Sequence, residues 1–117
     1  MAANQKRENG RHLRVTPTNG AATSGAPGLF GQMPGVAEDD VATDGMCTMD
    51  FGGVYSLSVK GIDNSGNAAI TAGDIIYYDT ATTPKLSADA VGTVRFGYAL
   101  EDVGSAATAT ILVKIGY

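Results

Sequence analysis

From residue 12 onward, apolar and polar side chains exchange places at every second position in short bursts, and glycine or proline closes most of them. His12-Leu13-Arg14-Val15-Thr16 alternates with the period of a half-buried strand, and Pro17 with Asn19-Gly20 ends it. Between Gly20 and Gly35 a glycine or proline recurs every few residues, which excludes a helix and leaves room for short strands around Leu29-Phe30 and Val36-Ala37. Cys47, Met49 and Phe51 alternate with Thr48 and Asp50; past Gly52-Gly53, Tyr55, Leu57 and Val59 alternate with Ser56 and Ser58. That pattern predicts a hairpin, or one strand bent sharply at the glycine pair.

Further along, turn formers crowd Gly61 to Asn67, and Ile75-Ile76-Tyr77-Tyr78 reads as a buried strand. Val94, Phe96, Tyr98 and Leu100 fall on one face of a strand, with Arg95, Gly97 and Ala99 on the other. In the last strand Ala109, Ile111, Val113 and Ile115 alternate with Thr110, Leu112 and Lys114. Six to eight such strands with no helical period predict an all-β fold, a small β-barrel or β-sandwich, over a single domain from residue 12 to 117.

Composition changes this picture at the N-terminus. Residues 1 to 11 hold no apolar side chain beyond Met1 and two alanines, so they are expected to form an extended arm, disordered on its own. Lys6, Arg7, Arg11 and Arg14 against the single Glu8 give the first fourteen residues a charge of +3, whereas four basic and eleven acidic residues give the remainder −7. An acidic body argues against general nucleic-acid binding, and a basic arm on it suggests electrostatic docking. No apolar run is long enough to cross a bilayer and the N-terminus lacks a secretion signal's apolar segment, so no membrane partner and cytoplasmic synthesis are expected.

Candidate chemistry is thin. His12 is the sole histidine, so a triad or two-histidine metal site would need several chains. Cys47 sits in an apolar alternation, the pattern of a core thiol rather than a nucleophile. Glu38, Asp39, Asp40 and Asp44 could gather around calcium, and Asp63, Ser65, Asn67 and Asp74 weakly echo a calcium loop, but Gly66 is misplaced for its sharp turn; Asx-type turns are the preferred reading. Nothing selects Asp50 with Asp74 as a glycosidase pair, and no helix follows Gly25, Gly28 and Gly31 to bind phosphate. No catalytic residue, cofactor or metal is assigned.

The ordered set of segments resembles a known family. Leu13-Arg14-Val15-Thr16, Gly35-Val36-Ala37, Phe51-Gly52-Gly53-Val54-Tyr55-Ser56-Leu57, Ile70 to Asp79, Phe96-Gly97-Tyr98-Ala99-Leu100-Glu101 and Thr110 to Ile115 follow the order and spacing of the capsid cement, or decoration, proteins of tailed bacteriophages. The longer basic leader and the Asp63 to Asn67 loop depart from it. Some members carry labels suggesting a strand-exchange ATPase; here Lys60 precedes Gly61, the wrong order for a phosphate-binding loop.

The resemblance implies a non-enzymatic virion protein on the outer capsid surface, bound to the major capsid protein and to itself as a dimer or trimer. Lys6, Arg7, Arg11, His12 and Arg14 are the expected capsid or subunit contacts. The rival expectation is an adhesin-like module whose exposed aromatic residues bind host glycans.

Overall fold

In a computed structural model, residues 11–80, 84–90 and 93–116 are described, and they contain strands and turns with no helix. The N-terminal half supplies β1 (His12–Val15), β2 (Asn19–Gly20), β3 (Pro27–Phe30), β4 (Met33–Ala37) and β5 (Cys47–Asp50), which form an antiparallel sheet in the order β1-β5-β4-β3-β2. After β6 (Val54–Lys60), the short hairpin of β7 (Ile62–Asp63) and β8 (Gly66–Asn67) follows. Then come β9 (Ile75–Tyr78), β10 (Leu86–Ser87), β11 (Val94–Ala99) and β12 (Thr108–Ile115). Strands β10-β6-β12-β11-β9 close into a barrel, which leaves no open edge in that sheet.

The period-two pattern accounts for what each sheet buries. Along β12, Ile111, Val113 and Ile115 point inward and Thr110, Leu112 and Lys114 outward, and the strand pairs with β6 from Thr108↔Lys60 to Lys114↔Val54. Inside the barrel Leu57, Val59, Ile76, Leu86, Phe96 and Ile111 meet, and Tyr78 stacks on Phe96 with ring centroids 6.2 Å apart. Each such side chain contributes on the order of 1.5–3 kcal/mol by leaving water. Leu29 and Val36 of the open sheet join this core, while Ala21, Ala37, Cys47 and Met49 form a second, smaller one with Val15, Val41 and Phe51.

One alternative left open by the sequence is decided, and two expectations need correction. Strands β5 and β6 do not form a hairpin: β5 pairs with β1 and β4, β6 with β12 and β10, so Gly52-Gly53 is where the chain bends from the open sheet into the barrel. The uniform alternation expected for β11 fails because the register against β9 shifts between Arg95 and Gly97. This bulge leaves Phe96 and Ala99 buried while Leu100 faces out. Strand β9 is buried on one face only, at Ile76 and Tyr78.

Candidate functional site

Strands β1 and β5 pair so that Leu13 and Val15 lie opposite Met49 and Cys47, and His12 and Arg14 lie opposite Asp50 and Thr48. One face of the pair is thus apolar. The other carries the charge that the sequence concentrates near the N-terminus.

At the centre of the charged face is Asp50, whose side chain is 1% exposed. Burying a carboxylate costs several kcal/mol unless donors replace its water. Here each oxygen has two: Oδ1 accepts from Arg11 Nε at 2.7 Å and the Gly52 amide at 3.1 Å, and Oδ2 accepts from Arg11 Nη2 at 2.9 Å and the Tyr55 hydroxyl. The forked guanidinium fits the carboxylate in the bidentate manner. Burial acts to raise the Asp50 pKa, yet the hydrogen bonds from Arg11, Tyr55 and Gly52 outweigh it and hold it at about 2. Burial, and then the bond to Asp50, pushes Tyr55 up to about 12.

This cluster joins the two sheets, since Asp50 ends β5, Tyr55 belongs to β6 and Arg11 leads into β1. The Arg11 carbonyl also accepts from the Phe51 amide at 2.7 Å, and the Gly53 carbonyl from Ile115 at 2.9 Å. Gly53 has φ +88°, and a Cβ there would lie 2.3 Å from Arg11 Nη2. The Arg11 side chain therefore lies across the bend, where glycine alone leaves it room.

The remaining basic residues on this face also meet carboxylates of their own chain. His12 Nδ1 lies 2.8 Å from Glu38 Oε2, and Arg14 Nη2 donates to Asp44 Oδ2 at 3.1 Å, both at exposed positions. The Asp44 pKa is lowered, first by the amide of Met46 and then by Arg14. Lys6 and Arg7, and most of the expected arm, lie outside the described residues. Donor atoms of His12, Glu38 and Asp50 come within 4.8 Å of one another, close enough in principle for a cation. The Asp50 oxygens are already bound to the Arg11 guanidinium, so a metal would have to displace a resident cation.

Most other acidic side chains weighed as candidate ligands accept from backbone amides, within a turn at Asp63 and Asp74 and between segments at Asp39 and Asp40. Asp39 accepts from the Thr48 amide, Asp40 from Ser24, Asp63 from Ser65 and Asp74 from Thr71, all at 2.8–2.9 Å. These include the Asx turn expected at Asp63. Asp50 and Asp74, weighed earlier as a pair, thus serve separate local structures. Cys47 is fully buried, its thiol bonded to the Ala21 carbonyl and its pKa raised chiefly by burial. Tyr78 is buried and Tyr55, Tyr77 and Tyr98 are half-buried. No pocket opens among the described residues.

The joint role of Asp50 and Tyr55 escaped the sequence reading. The available signal was a carboxylate within an apolar alternation, directly before Phe-Gly-Gly and five residues before a tyrosine.

With the fold in hand, a family model describing the phage cement protein matches residues 7–115. The chain belongs to the phage cement protein family. The match takes in Arg7, Arg11, His12 and Arg14 together with both sheets; the family is a structural, non-enzymatic one, and membership gives this cement protein a structural role in the phage capsid. No curated protein and no solved structure matches the chain.

Proposed function

We propose that this cement protein binds the outer surface of the assembled phage head, made from protein synthesised in the bacterial cytoplasm, and stabilises the shell by bridging major capsid protein subunits. Family membership across residues 7–115 is the observation that carries the reading. The site chemistry agrees with it, because Asp50 and Arg11 are engaged in the joint between the sheets, and Asp39, Asp40, Asp63 and Asp74 accept from backbone amides. Weak contacts repeated over a lattice sum to firm attachment through avidity, so no single residue needs to dominate.

Within this reading the five basic residues divide their work. Lys6 and Arg7 provide the positive charge that meets an acidic capsid surface or a neighbouring copy. Arg11 holds the root of the leader on Asp50, and the exposed pairs His12–Glu38 and Arg14–Asp44 exchange partners with the capsid on docking. Self-association as a dimer or trimer would multiply the contacts. The glycan-binding alternative gains nothing from the four described tyrosines, which are buried or half-buried, and has only Phe30 as an exposed aromatic side chain among the described residues.

The test is cosedimentation of the purified protein with mature heads lacking it, alongside unexpanded precursor heads. Saturable binding to mature heads at a lattice-defined stoichiometry is expected. Failure to bind either form overturns the reading.

A further inference from the structure

Among the described residues, the large apolar side chains left exposed fall into two groups. Phe30 and Met33 pair at the tip of the β3–β4 hairpin, where no charged residue sits between them. The others are Val54 (51% exposed), Leu100 (43%) and Leu112 (41%), all on the barrel's outer wall. They are neighbours: Val54 pairs with Lys114, two positions along β12 from Leu112, and the Leu100 amide donates to the Leu112 carbonyl at 2.9 Å. Single exposed leucines are ordinary, whereas a contiguous group marks a contact surface.

The same wall is cationic. Tyr98 lies opposite Lys114, whose Nζ is 6.0 Å from the ring centroid; Arg95 Cζ is 5.3 Å from it, and Arg95 Nη2 donates to the Tyr98 hydroxyl. Two of the four basic residues beyond residue 14 thus converge on one tyrosine of a body whose net charge is −7. Glu101, at the border, accepts from the Leu112 amide at 2.9 Å. A partly buried tyrosine flanked by arginine and lysine and ringed by aliphatic groups has the composition of an interface centre. The wall also adjoins the root of the leader, since Arg11 lies across Gly52-Gly53, next to Val54.

We infer that the wall formed by Tyr98, Lys114, Val54, Leu112 and Leu100 is the face that meets the capsid, and that its partner there is an acidic surface segment with apolar side chains. Charge complementarity selects this occupant. The inference rests on the capsid-binding reading above.

The experiment measures binding of the full chain to heads lacking it, at low and moderate salt, for the unmodified protein and for Leu112→Thr, Lys114→Gln, Lys114→Glu and Met33→Thr. Sedimentation without heads and the thermal midpoint are followed for each. Leu112→Thr and Lys114→Gln should each weaken binding about tenfold, as interface-centre residues do. Lys114→Glu should weaken it further and flatten its salt dependence, while Met33→Thr leaves it unchanged. Lys114→Gln keeps the test decisive if the charge reversal fails to fold. Equal binding by the wall variants overturns this face and leaves capsid binding standing. So does loss of self-association with head binding intact, which would make the wall an interface between copies. If the unmodified chain binds no head, both proposals fall.

Discussion

Arg11 and Asp50, 39 positions apart, are joined by two parallel hydrogen bonds of 2.7 and 2.9 Å, and through them the approach to β1 is fastened to the bend between the two sheets. Because Tyr55 completes the cluster from the barrel side, the same carboxylate ties together three segments.

The first consequence is an acid limb in stability. Unfolded, Asp50 titrates near the ordinary aspartate value of 3.8; folded, it titrates at about 2. A carboxyl whose folded pKa is depressed contributes stability that is complete above the unfolded value and is lost as pH falls through the folded one. Asp44, also lowered, acts in the same direction. Between about pH 4 and pH 2 the protein should lose roughly 2 kcal/mol through Asp50. Urea unfolding across that range measures it, and Asp50→Asn should be less stable at neutral pH and show a flatter acid limb.

An alkaline limb follows from Tyr55. Its pKa rises from 10.0 to about 12 on folding, so its contribution is complete below the lower value and vanishes as pH climbs through the upper one. Tyr78 and the Cys47 thiol, raised by burial, add to the loss in the same sense. Phenolate absorbance should show two tyrosines, Tyr55 and Tyr78, titrating late together with unfolding, and Tyr55→Phe should reduce the slope of stability against pH in this window.

Gly97 and Gly104 should respond to alanine with opposite signs. A Cβ at Gly97 would stand 2.0 Å from the Lys114 carbonyl oxygen, a backbone atom in the paired strand β12 that cannot move without opening the ladder. At Gly104 the nearest atom would be 3.6 Å away, an ordinary contact. Gly97→Ala should cost about 3 kcal/mol or more, by overpacking at the bulge. Gly104→Ala should be neutral or stabilise by up to about 1 kcal/mol through the unfolded chain. Thermal midpoints of the two variants check both.

How far the sequence disclosed this molecule follows from the range of each interaction. Alternation in Leu13 to Val15, Leu57 to Val59 and Ile111 to Ile115 is local, and the buried faces came out as the pattern implied. Sheet membership is a property of pairing at a distance. The glycine pair at 52 and 53 was compatible with a hairpin or a bend, and only the partners β4 and β12 decide between them. The bulge at Arg95 escaped for a related reason, since period two assumes an unbroken ladder. Among the candidate site residues, the clustering of basic charge was visible, but the carboxylates opposing it at Glu38, Asp44 and Asp50 lie 26 to 39 positions away. Charge counting along the chain does not reach that far.

The root of the leader supplies the last prediction. Removal of residues 2 to 9 takes away Lys6 and Arg7 and leaves Arg11 on Asp50, so the unfolding midpoint should stay where it is while binding to heads weakens and loses part of its salt dependence. Extending the deletion through Arg11 removes one of the two donors on each oxygen of a buried carboxylate, together with its counter-charge, and the midpoint should fall in addition. Thermal unfolding and head cosedimentation of the two truncations separate the roles. A shorter deletion that already destabilises the body would mean that the leader packs against it, and equal midpoints for both would mean that the Arg11–Asp50 bond contributes nothing to the joint between the sheets.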